Sequence, residues 1–504
     1  MNNAVLEEIE ATQNEQETQQ VPALANSAGF TRHVLLFSLA NVAALACNGV
    51  LTFLLPRLLP MESYGYYRLF VLYGGFAGVL HLGLLDGALI RWAARPERRL
   101  GTEMLGCLEF LLAEHTAILV PAIAVLALLF HAKPWFFLAV AIAVYAVVYN
   151  VSTLGQFALQ AEKFFGLLSA MTVLNPALLL ASVIALHYSK RLTVNTVIIA
   201  YVFSWLLAAV PIWVSLLRKF AVARRRTAGL WCIGLRNIRV GWSVLLALLV
   251  TNVALSLDRI VVSVAFSIRE FAVYSFAATA LAVVNTIILS VSRVVFPYLS
   301  NGLSSETQTR AYWWGEACLV GLWAISLAGY FPIHWLITRL LPNYVSSLPI
   351  LQLLVLGTGF TGMIHILQSN YFRSALRLGQ LLAGCVIGLT VALALLMIAR
   401  RTGELSMMAL AMLGAIAVWW LANEWLLRPI TGGGLWNLFR TIAVYTGCAV
   451  WFLFCTSAGN YFAAAFAYLV VALVLVVVCY RPVLRSIPRL QVFPLVDLSA
   501  GAGD

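Results

Sequence analysis

The sequence predicts an all-α, polytopic membrane protein of about 14 transmembrane helices. Three observations predict it. Apolar residues make up 62% of the 504 residues and charged residues only 10%, against roughly 25% charged in an ordinary soluble protein. Mean hydropathy is +0.92. Apolar runs of about 20 residues, the length a helix needs to cross a bilayer, recur from residue 34 to residue 480.

Residues 1–33 are polar and acidic (Glu7, Glu8, Glu10, Glu15, Glu17). Without a basic start and a short apolar stretch they are no signal peptide, and they are expected as a disordered tail. Six spans follow at 34–55, 67–90, 105–130, 135–157, 164–187 and 194–217, making a first bundle, 34–217. A basic linker, 218–240, carries Arg218, Lys219, Arg224, Arg225, Arg226, Arg236 and Arg239. The second bundle, 241–428, has spans at 241–266, 272–297, 312–337, 347–371, 379–399 and 405–427. Two appended spans, 438–456 and 461–480, lie within 429–481 and are separated only by "TSAGN"; 482–504 is a second tail.

Lys and Arg gather in the linker, in Arg91, Arg95, Arg98 and Arg99, and in the C-terminal Arg481, Arg485 and Arg489. By the positive-inside rule both termini are expected in the cytoplasm. The net charge of +12 would raise nucleic acid in a soluble chain. Here the bases sit in short connections with no aromatic-interleaved basic domain, so no nucleic-acid partner is expected. None of the eight cysteines forms a CxxC pair, and all but Cys232 fall in apolar runs, as small buried hydrophobes do. No HExxH or paired-ligand spacing occurs, so neither metal nor cofactor is expected.

A faint internal echo matches the division. "MESYGYY" after span one holds Glu62 and Tyr66; "REFAVYS" after span seven holds Glu270 and Tyr274, 208 residues on. Bundles of six helices each would share one orientation, related by an axis along the membrane normal.

Polar residues three and four apart share a helix face. Span one shows Ser38, Asn41, Asn48 and Thr52; span seven shows Asn252, Ser256, Arg259 and Ser263. Span eight adds Thr286, Ser290 and Arg293, span four Tyr145, Tyr149, Ser152, Gln156 and Gln160, and span ten Thr358, Thr361, His365 and Gln368. A single stripe serves interhelical hydrogen bonds in many bundles. Matched stripes on the leading helices of both bundles predict a shared wet cavity. Charges inside a span are disfavoured by about 2.5–3.5 kcal/mol on insertion scales and so face a cavity or a partner. Arg259 extends a stripe and is assigned to the cavity. Asp258 lies about 100° round the helix from it and answers either the cavity or a neighbouring helix. Arg293 falls near one end of span eight, Arg68 near the start of span two, and Glu114 and His115 near the middle of span three. Gly74, Gly78, Gly83 and Gly87 have the spacing of close helix packing.

"SLANVAALACNGVLTFLLPRLLPMESYGYYRLFVLYGGFAGVLHLGLLDGALIRWAA" resembles the opening of Wzx-type polysaccharide flippases. It shows an Asn-bearing first span, the turn Glu62-x-x-Gly65-x-Tyr67, and Leu-Gly-Leu in span two. "SLDRIVVSVAFSIREFAVYSFAATALAVV" resembles the same family's Asp-Arg segment and following acid-x-x-x-Tyr turn, with Val273 where a Gly is usual; "LPNYVSSLPILQLL" resembles its entry to span ten. These marks run from about residue 34 to residue 430. The resemblance implies the MOP superfamily, with lipid-II flippases and MATE exporters: two six-helix bundles around a central cavity, in a bacterial inner membrane. The implied role is flipping a polyprenyl-pyrophosphate-linked oligosaccharide to the outer leaflet by alternating access, for O-antigen or exopolysaccharide. Implied partners are the lipid bilayer, a polysaccharide polymerase and other assembly proteins. Arg259, Arg293 and Arg68 would hold the pyrophosphate, since guanidinium never deprotonates and matches phosphate geometry. Asn41, Asn48, Asn252, Ser256 and Gln156 would line the sugar path, and Glu114, His115 and Asp258 are candidates for ion coupling.

Two other classes compete. A MATE-like, cation-coupled exporter of small molecules would want carboxylates in the cavity, yet span one carries two Asn and no acid. A membrane enzyme of the same pathway would want a sizeable outer loop or a DxD motif, and neither is present. The reading is of a transporter, not an enzyme.

Overall fold

The computed structural model describes residues 27–93, 100–130, 134–162, 164–220, 230–281, 305–375, 377–432, 434–458 and 460–484. Those residues are helical, with no strand among them. In chain order the N-terminal half has α1 (Ser27–Leu58), α2 (Met61–Gly74), α3 (Leu84–Ala93), α4 (Leu100–Phe130), α5 (Pro134–Ala161), α6 (Phe165–Tyr188) and α7 (Val194–Lys219). The C-terminal half has α8 (Leu230–Ala265), α9 (Ile268–Ala280), α10 (Ser305–Leu327), α11 (Tyr330–Leu340), α12 (Leu348–Gly362), α13 (Ser369–Ser374), α14 (Leu378–Ala399), α15 (Leu405–Thr431), α16 (Leu435–Thr456) and α17 (Tyr461–Leu484).

Among the described residues twelve helices are long and apolar enough to cross a membrane, or thirteen counting one bent pair as a span. The expected eighth span, 272–297, runs past residue 281 and so lies largely outside the described residues. The outward surface is apolar, with Val120, Leu128, Phe203, Val264, Phe466 and Val478 all exposed. In lipid that surface needs no cover, which is why α4 buries so little of itself.

Span two departs from the expected continuous helix. It begins at Met61 and bends by 60° between residues 61–81 and 84–92. A 3-10 turn, Ala77–His81, carries the chain across. Leu82 (φ 48°) and Gly83 (φ 88°) are both left-handed, which stops α-helical hydrogen bonding and redirects the chain.

Within the N-terminal half α1 packs mainly on α6, and α5 on α7; within the C-terminal half α15 packs on α12 and α14, and α10 on α17. The halves touch at both ends of the bundle. At one end a Cβ on Gly65 of α2 would lie 2.6 Å from the backbone oxygen of Ile268, at the start of α9. At the other a Cβ on Gly83 would lie 2.7 Å from the backbone carbon of Gly241 on α8, and one on Gly87 would strike Asn237. Glycine at 83, 87 and 241 therefore provides the close approach that the spacing predicted. Val273 stands 208 residues after Gly65, and no such approach is required of it. Helix α9 starts with a capping box, Ser267 accepting from the Glu270 N–H at 3.3 Å while Glu270 accepts from the Ser267 N–H at 2.9 Å.

Candidate functional site

Arg259 is reached along its own helix face. Its Nη2 donates to Ser256 Oγ at 2.9 Å and approaches the Leu255 carbonyl at 3.4 Å. One turn on, Ser263 Oγ and Tyr73 Oη of α2 are hydrogen-bonded at 2.9 Å. The stripe Ser256–Arg259–Ser263 thus faces the N-terminal half. Asp258 is buried and turned elsewhere: Oδ2 accepts from Tyr274 Oη of α9 at 2.8 Å, and Oδ1 accepts from the Arg259 backbone N–H at 2.7 Å. The guanidinium Nε is 4.0 Å from Oδ1, a loose contact rather than a forked pair.

Arg68, on α2, lies near enough for its charge to act on Arg259 and on Tyr64 and Tyr67. Its buried Nε has no acceptor among the described residues. Two guanidiniums from opposite halves therefore lie within electrostatic range of each other, each partly buried. Asp258, beside Arg259, is held by Tyr274. Like charges repel, and an anion between them would relieve both. Arg293 lies outside the described residues.

A cavity of about 320 Å³ sits between α1, α5, α6 and α7. Asn41, Asn48 and Gln156 line it, with Ser152, Thr172, Asn175 and Trp205. Pro176 inside α6 removes the N–H that the Thr172 carbonyl would accept, so helix backbone as well as side chains offers polar atoms there. Asn175 Nδ2 is buried with no acceptor. Asn252 and Ser256 are not in this lining; Asn252 is exposed on α8, and Ser256 supports Arg259. An aromatic wall continues from the cavity toward Arg68: Trp205 meets Tyr149 at 5.2 Å, Tyr145 meets Tyr201 at 5.5 Å, and Tyr201 meets Tyr67 at 6.4 Å, ring centre to ring centre.

Glu114 and His115 diverge. His115 is buried; Asn150 Nδ2 donates to its Nε2 at 2.9 Å, so its Nδ1–H donates to the Leu111 carbonyl, also at 2.9 Å. That pattern holds the neutral ring. The same Asn150 amide reaches the Ala77 carbonyl at 2.9 Å, inside the break of span two. His81, in the same break, accepts from the Gly83 N–H at 3.1 Å and faces Asp86 at 3.9 Å. Both Glu114 carboxylate oxygens are buried with no donor among the described residues.

Two further carboxylates, Glu316 of α10 and Glu424 of α15, escaped the sequence reading and are buried. Glu424 Oε2 accepts from Tyr312 Oη at 2.5 Å and from Gln368 Nε2 at 3.0 Å. Glu316 Oε1 accepts from Thr441 and from Tyr480 Oη at 2.8 Å, with Arg440 Nη2 at 3.6 Å. These contacts tie α16 and α17 to α10. Gln368 ends a π-helical turn, Met363–Gln368, a feature frequent at functional sites.

Two arginines within electrostatic range of each other and a polar cavity thus lie inside an all-helical membrane bundle. Comparison with known structures specifies the fold. It is similar to the lipid II flippase MurJ in an inward closed conformation (TM-score 0.64, 13% identity, covering 90% of this chain and 100% of that one). It is also similar to an inward-facing multidrug resistance MATE family transporter of the MOP superfamily (TM-score 0.55, 15% identity, 80% and 98% covered). No family model and no curated protein matches the sequence. The chain therefore shares the all-helical fold of these two solved structures.

Proposed function

We propose that the protein is a flippase of the bacterial inner membrane, moving a polyprenyl-pyrophosphate-linked oligosaccharide from inner to outer leaflet for surface polysaccharide. The observation that carries this reading is that Arg68 and Arg259, from opposite halves of the chain, lie within electrostatic range of each other. A pyrophosphate offers paired oxygens to two guanidiniums. The neutral amides of Asn41, Asn48 and Gln156 suit hydroxyl-rich sugars, which ask for donors and acceptors but no charge. In this reading the halves act as two six-helix bundles whose contacts at Gly65 and at Gly83 open in turn, with both termini cytoplasmic. The polyprenyl tail stays in lipid while the head group crosses.

The test is Arg259→Ala in cells making the polysaccharide. Export should fall by about tenfold or more, as loss of a charge-assisted contact of roughly 1.5–3 kcal/mol requires, while the protein still inserts. Lipid-linked units should accumulate on the cytoplasmic leaflet. Arg259→Lys should recover part of the activity if charge suffices and none if forked binding is needed. Unchanged export in Arg259→Ala would overturn the assignment. Export of small cations with no lipid-linked phenotype would favour the MATE-like alternative.

A further inference from the structure

Among the described residues the two buried glutamates of the C-terminal half differ in their partners. Glu316 has Arg440 beside it at 3.6 Å, whose guanidinium also stacks 4.5 Å from the centre of the Tyr480 ring. Glu424, 7% exposed, has as donors among the described residues only the neutral Tyr312 and Gln368. Arg428, one turn along α15, turns its guanidinium over the Trp425 ring at 5.5 Å. A lone carboxylate in a low-dielectric bundle is costly, and it persists by taking up a proton or a cation.

Three observations say which, and from where. Glu424 lines a small cavity of about 40 Å³ together with Trp313, Arg428, Thr431 and Gly434. That is room for a water molecule, at the end of the bundle where α15 passes into α16. Next, Oε2 already accepts from two donors, and a hard metal cation wants a shell of oxygen acceptors instead. Lastly, Gln368 is fully buried, and its Oε1 has no donor among the described residues. The same carboxamide donates through Nε2 to Glu424 at 3.0 Å and to the Trp420 carbonyl at 3.2 Å. A protonated Glu424 is itself a donor, and rotation of the Gln368 amide would turn the orphan oxygen to accept from it, giving up the bond to Trp420.

We propose that Glu424 is a proton-binding site, loaded through the cavity beside Thr431, and that its occupancy drives the transport cycle. The unionised acid and the flipped Gln368 amide form one state; the carboxylate accepting from Tyr312 and Gln368 forms the other. The π turn ending at Gln368 carries the difference into α12. Glu316, held by Thr441, Tyr480 and Arg440, is a second buried acid within electrostatic range of Glu424. The proposal rests on the transporter reading for its consequence but not for the proton itself.

Infrared difference spectroscopy of the purified full-length protein, titrated with pH, reads the proton directly. A protonated-carboxyl stretch should appear on acidification and lose one carboxyl's share of its intensity in Glu424→Gln, which keeps an oxygen for both donors; an unchanged thermal unfolding midpoint checks the fold. No such band, or one undiminished in Glu424→Gln, overturns the site. Displacement of the band by sodium at constant pH overturns it in favour of a metal cation. In cells Glu424→Gln should lower export by about tenfold or more, within the usual range of coupling between sites. Wild-type export would overturn the driving role. If Arg259→Ala leaves export intact while the band remains, the substrate reading has failed and the proton site has not.

Discussion

The two halves of the chain bury polar groups in opposite ways. In the N-terminal half they gather around interruptions: the break of span two holds His81 and the Ala77 carbonyl that Asn150 reaches, and Pro176 opens α6 beside a cavity of about 320 Å³. Asn175 Nδ2 and both oxygens of Glu114 have no partner among the described residues, and neither do the Asn423 amide and Gln368 Oε1 of the C-terminal half. In the C-terminal half Glu316 and Glu424 are gripped by hydroxyls and amides, Glu424 beside a cavity of about 40 Å³. The first arrangement has room for water or a polar ligand, since its larger cavity is lined by polar side chains. The second holds carboxylates among fixed donors.

The contrast breaks most decisively at Glu316. Replacing it with Ala leaves the Arg440 guanidinium uncompensated and should cost about 3–5 kcal/mol, seen as a large fall in the unfolding midpoint in detergent. Wild-type stability would mean that this network is not the clasp described. Asn150→Ala probes the other half. Losing its contacts to His115 and Ala77 should cost about 1–3 kcal/mol, a smaller fall, and a result larger than that of Glu316→Ala would reverse the comparison. The gentlest probe is accessibility. Asn48→Cys should react quickly with a water-soluble maleimide and Gln368→Cys slowly; equal rates would erase the difference in hydration.

Much of this was legible in sequence. Hydropathy gave the helices because lipid imposes one period on every span, and the Asn41–Asn48 and Ser256–Arg259 stripes were readable because residues three and four apart share a face. Glu316 and Glu424 were not. Each lies close to the end of an apolar run, where a charge ordinarily meets water; packing by α16 and α17 covers Glu316, and Tyr312 of α10 with Gln368 covers Glu424. Asn150 falls off the Tyr149–Ser152–Gln156 stripe, so periodicity hid it. The break in span two was announced by Gly74, Gly78, Gly83 and Gly87, yet spacing alone did not distinguish close packing from a bend. Both proved true: Gly83 allows the approach of α8 and, at φ 88°, helps to turn the chain. Arg293 sits in a stretch where only the sequence speaks.

The meeting of Gly65 with the backbone of Ile268 has a mechanical meaning beyond fit. A joint made through glycine brings backbone against backbone, and here the Ile268 side chain lies directly over the gap. Filling it with a methyl would do more than strain the fold: it would prop one end of the bundle ajar and bias the resting shape of the whole molecule.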